Sequence, residues 1–219
     1  FAREMLREPE PVLRRHGVYF SRLFPDRASW AVHAPAALAE RANLLCALRH
    51  AVQTHSTAAA VACVHPLVGI CLHAGPKSDA LRHLDAVLEL RLTEQDRLQV
   101  QARRVNTALQ ISGPATLEPA LRELLADARR LKNQHIELAA LRGLAQTRSR
   151  HPDEAEALLL EALALARQLG SHADEGLTLR DLGALYWHTG RLDDAEARLL
   201  EGLRIVEADA ARRRSLDGR

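Results

Sequence analysis

The sequence predicts an all-α protein assembled from antiparallel helical hairpins, and three observations carry that expectation. Its 219 residues are 47% hydrophobic but only 3% aromatic, and they are dominated by Ala, Leu and Arg, which favour helix over sheet. Apolar residues recur at helical spacing, as in Leu179, Leu182, Leu185 and Tyr186 and again in Ala195, Leu199 and Leu203. The chain also repeats itself at offsets of 38 and 40 residues, inside the range expected of helical repeat arrays.

The repeat is clearest near the C-terminal end. Residues 153–166 (DEAEALLLEALALA) align with 193–206 (DDAEARLLEGLRIV) at an offset of 40. Asp153/Asp193, Ala155/Ala195, Glu156/Glu196, Ala157/Ala197, Leu159/Leu199, Leu160/Leu200, Glu161/Glu201 and Leu163/Leu203 are identical. Residues 117–131 align with 155–169 at an offset of 38, and 137–145 align with 175–183 at the same offset. A fainter echo of 187–199 in 72–84 makes four copies. Gly75, Pro152 and Gly190 fall between the helical halves of their copies, where a turn is required. One hairpin cannot bury its apolar face alone, so the copies are expected to stack.

In chain order this predicts an N-terminal helical segment over 1–56, four hairpins over 57–209 and a frayed basic tail over 210–219. Within the first hairpin, Pro66 should kink the helix, leaving it irregular or broken near residues 64–66, because proline lacks the N–H of a helical hydrogen bond. The neighbouring apolar stretch, 58–72, is short of the roughly 20 residues of a membrane span and is interrupted by His65 and Pro66. A buried helix is expected there, and no membrane partner. The chain opens on Phe1 without a signal-peptide pattern, and is expected to be a piece of something longer.

The spacing Leu179-x2-Leu182-Gly183-x2-Tyr186, followed by Ala195-x3-Leu199, resembles the tetratricopeptide repeat. Gly183 and Ala195 stand where small residues let the two helices approach, with Ala145 and Ala155 as counterparts. The departures are Leu179 and Leu199 at aromatic positions, Arg148 opposite Tyr186 and Glu207 in place of a proline. The resemblance implies an α-solenoid with a right-handed superhelical course. Before the repeats, Arg15-His16-Gly17-Val18-Tyr19-Phe20 and Asn43-Leu44-Leu45-Cys46-Ala47-Leu48 resemble a junction found in bacterial STAND-type signalling ATPases and transcriptional regulators. That resemblance implies a repeat-built sensor arm in the cytoplasm, with further domains of the parent chain as neighbours.

Little in the chain points to chemistry. With 30 basic and 28 acidic residues, it gives no electrostatic case for nucleic acid. Neither lysine, Lys77 or Lys132, follows a glycine-rich phosphate loop, so no nucleotide cofactor is expected. No two of the eleven histidines stand three or four residues apart, and no metal is expected. Three cysteines, Cys46, Cys63 and Cys71, form no CxxC pair and fit a reducing compartment. Acidic pairs such as Asp153-Glu154 and Asp193-Asp194 open helices, where they favour the helix dipole.

The candidate binding residues follow from the repeat register. Three positions before the small residue, the first helices carry Arg103, Arg142 and Arg180, with His65 as the equivalent in the first copy. Gln146 and Trp187 complete the set. Such a column on a concave groove could grip an acidic peptide or a protein, since guanidinium groups bind carboxylates in bidentate fashion. Neighbouring acids, Asp181 or Glu137, could equally neutralise these arginines as ion pairs. The expected function is a non-catalytic interaction module of a larger signalling protein. The alternatives are a free-standing adaptor, an arm of another effector such as a kinase, and an enzyme using His65, His73 and a carboxylate.

Overall fold

The computed structural model describes residues 38–114, 116–148 and 150–217. Among them lie nine helices and no strand. The chain divides into two compact units, one ending at Ile111 and the other beginning at Ser112. The first holds α1 (Arg41–Gln53), α2 (Thr57–Ala74), α3 (Lys77–Leu88) and nearly all of α4 (Glu94–Ser112). The second holds α5 (Glu118–Arg130), α6 (Gln134–Thr147), α7 (Pro152–Gln168), α8 (His172–His188) and α9 (Leu192–Asp217). The helices of the second sequence copy, α4 and α5, therefore fall in different units.

In the first unit α2 packs against both α1 and α3. Its core joins Leu44 and Leu48 of α1, Val64, Leu67, Val68 and Ile70 of α2, Leu84 and Val87 of α3, and Val100 of α4. By length and composition α2 could cross a membrane, but more than half of it is buried inside the unit, as in the core helix of a folded domain. The break expected at Pro66 does not occur. The helix runs unbroken from Thr57 to Ala74, and Pro66 is itself buried. The missing N–H deprives only the Ala62 carbonyl of its helical donor, and packing against α1 and α3 accompanies a helix that continues across the lost bond.

Connections between helices reuse one design. His55, Lys132, Gly170 and Gly190 all have φ between 52° and 79°, in the left-handed region. The next N–H in each case reaches back five residues, from Ser56 to Ala51, Asn133 to Ala128, Ser171 to Ala166 and Arg191 to Tyr186, at 2.8–3.0 Å. This is the Schellman close of a helix, which satisfies carbonyls that would otherwise lack donors. New helices then start on capping side chains. Asn133 Oδ1 accepts from the Ile136 N–H at 3.2 Å. Ser171 Oγ donates to Asp174 Oδ2 at 2.7 Å and is approached by the Asp174 N–H at 3.4 Å. Thr93 and Asp96 form the same reciprocal pair at α4.

Through the second unit each helix packs on the next, from α5 to α9. Leu138 and Leu141 of α6 bury against Ala162 and Ala166 of α7. Ala155, Leu159 and Leu163 of α7 bury against Leu179, Leu182 and Tyr186 of α8. The closest approach is between α8 and α9. A Cβ on Gly183 would lie 2.6 Å from Leu199 Cγ and 3.3 Å from the Ala195 carbonyl oxygen. Lower on the same pair, a Cβ on Gly202 would lie 3.2 Å from Leu179 Cβ and 3.3 Å from the Gly176 carbonyl oxygen. The sequence pattern pointed to Gly183 and Ala195 but not to Gly176 and Gly202. The backbone beyond residue 209, expected to fray, continues α9 to Asp217.

Candidate functional site

Asn133 and Ser171 cap α6 and α8 at positions 38 residues apart, and Arg142 and Arg180 each follow their cap by nine residues. The two arginines consequently share a register, and they meet on one carboxylate. Asp181 Oδ2 accepts from Arg142 Nε at 2.9 Å and Nη2 at 2.6 Å. Its Oδ1 accepts from Arg180 Nε at 3.2 Å and Nη2 at 2.8 Å. Two cations on one anion leave a local surplus of positive charge. Arg142 and Asp181 are mostly buried, whereas the Arg180 side chain is 60% exposed. Along the same face of α8 stand exposed Leu177, Ala184 and Trp187, the last 64% exposed. Gln146 is exposed one turn beyond Arg142 on α6. Arg103 and His65 are half-buried on α4 and α2, in the other unit.

Glu137, weighed as a neutraliser of the column, instead belongs to a second set of charges that repeats with the hairpins. Arg129 donates from Nε to Glu137 Oε1 at 2.8 Å and from Nη2 to Glu161 Oε1 at 2.5 Å. Arg167 does the same with Glu175 at 2.8 Å and Glu201 at 2.6 Å. Each guanidinium thus ties a second helix to both helices of the next hairpin. Hydrogen bonding to Glu175, with the charge of Glu201 nearby, holds the Arg167 pKa above its ordinary value despite partial burial. Arg129, Arg167, Glu137 and Glu175 were visible in the sequence as charges identical at the offset of 38. The alignment of 137–145 with 175–183 contains the Glu137/Glu175 match, but the pairing with Arg129 and Arg167 does not follow from it.

A sequence model of the tetratricopeptide repeat matches residues 152–208, which span α7, α8 and most of α9. No curated protein sequence matches the chain. Among solved structures, a Podosopora anserina protein described as a putative kinesin light chain with nearly identical TPR-like repeats is similar over 94% of this chain and 99% of its own. The identity is 18% and the TM-score 0.61. A single-substitution variant of that protein gives 17% identity and a TM-score of 0.65, over 94% of this chain and all of its own. BtubC (BKLC) from P. vanneervenii covers 90% of this chain and 92% of its own at 18% identity and a TM-score of 0.55.

The fold is tetratricopeptide-like.

One departure from the tetratricopeptide spacing, Arg148 in place of tyrosine, has a physical account. Tyr186 donates from its hydroxyl to Glu156 Oε1 at 2.7 Å, and Arg191 completes the cluster at 2.8 Å from Glu156 Oε2. The Arg191 guanidinium also lies 4.1 Å from the Tyr186 ring centroid. Burial, reinforced by the Glu156 hydrogen bond, raises the Tyr186 pKa. In the preceding copy Arg148 occupies the Tyr186 position and hydrogen-bonds Glu118, the counterpart of Glu156 at the offset of 38. A guanidinium there performs the tether that the phenol performs in the next copy.

Other chemistry is sparse among the described residues. No three of His, Cys, Asp and Glu gather there around a point that could hold a metal ion. His65 and His73 stand eight residues apart on α2, about 12 Å along the axis at 1.5 Å per residue. Cys63 is buried in the first core, and burial pushes its thiol pKa up to about 11. Cys71 is raised for the same reason, with Asp79 adding to it. Both are small apolar core residues, while Cys46 is exposed.

Proposed function

We propose that the protein is a non-catalytic interaction module that binds an acidic peptide or protein segment along the α6–α8 face, at Arg180, Gln146 and Trp187. The observation that carries this reading is the exposed Arg180 guanidinium, anchored to Asp181 and flanked on its own helix by exposed Leu177 and Trp187. Anchoring lowers the entropy lost when the guanidinium grips a carboxylate, and the Arg180 side chain stays 60% exposed. Arginine and tryptophan are both residue types enriched at binding hot spots. Arg142 is a positioning group that orients Asp181, and Arg103 and His65 hold the corresponding register positions in the other unit.

The wider setting we propose is the sensor arm of a larger bacterial signalling ATPase or transcriptional regulator, working in the cytoplasm. Supporting it is the Asn43–Leu48 phrase, whose Leu44, Ala47 and Leu48 are buried in the first core while Asn43 and Cys46 face out. An array of acidic peptides with free C-terminal carboxylates, read by Trp187 fluorescence, tests the binding face. Arg180→Glu should weaken each hit by roughly tenfold or more, and unchanged affinities would remove the face from consideration. Sequence of the parent gene upstream of Phe1 tests the setting: an in-frame phosphate-binding loop supports it, and a start codon there would leave a free-standing adaptor.

A further inference from the structure

We draw no further inference here: the strongest candidate, the exposed stripe of Leu177, Arg180, Ala184 and Trp187 along α8, belongs to the binding face already described.

Discussion

The two units hold their helices together by different means. In the first, one apolar helix is enclosed by its neighbours: α2 buries ten side chains or backbone positions between Ala60 and Cys71, and its core is one continuous cluster. An ion pair between helices of that unit, Arg104 to Asp85, is solvent-exposed. In the second unit no helix is apolar all round. Leucines bury two or three at a time, glycine and alanine bring α8 and α9 together, and Arg129 and Arg167 fasten each hairpin to the next. Hydrophobic enclosure tolerates an irregular sequence, even a proline. Repeated register does not, because every small residue and every charge must return at its proper offset.

That contrast can be broken at several points, beginning with the strongest. Leu67→Ala removes a fully buried side chain from the first core and should cost ~2–5 kcal/mol. Hydrogen exchange should show the loss in α1–α3 protection while α6–α8 keep theirs; equal loss in both would mean the units share one cooperative core. In the second unit, Gly202→Leu forces a side chain against Leu179 and the Gly176 backbone. A destabilisation of ~1–3 kcal/mol is expected from overpacking, read as a lower thermal midpoint.

Charge effects should be smaller and confined to one side. Arg167→Ala deletes bonds to Glu175 and Glu201, but the arginine is half exposed, so ~0.5–1 kcal/mol is expected. The difference from the parent chain should shrink in high salt, and a salt-independent difference would point to lost packing instead. Alkali separates the units more gently. The Cys63 thiol is raised from 9.0 to about 11, and the Tyr186 phenol is raised above its usual 10.0. Both groups hold their protons longer when folded. Their stabilisation is complete below the unfolded pKa and is lost as pH rises through the folded value. Exchange protection should therefore begin to fall near pH 9 in the first unit and only above 10 in the second.

Much of the second unit was legible in the sequence. Helical spacing and the 38-residue offset set out α5 to α8, and Gly183 with Ala195 marked one close approach. Gly176 and Gly202 escaped notice because they have no glycine counterpart at the matching positions of the preceding copy, Leu138 and Ala162. In the first unit Pro66 misled, since a proline's local preference was weighed without the enclosing helices. The candidate site was half legible. Spacing gave Arg142 and Arg180 a common register, but only three-dimensional structure could show that one carboxylate serves both.

The exchange of Tyr186 for Arg148 has a consequence for how such an array tolerates change. What recurs is a socket: a glutamate on one helix waiting for any long donor from the next. A phenol and a guanidinium are poor matches on paper, yet either fills it. Copies of this kind can lose their spelling while keeping their mechanics, and the retained mechanical part is the acid. Exchanging Glu118 or Glu156 should disturb the array more than exchanging the donor that each receives.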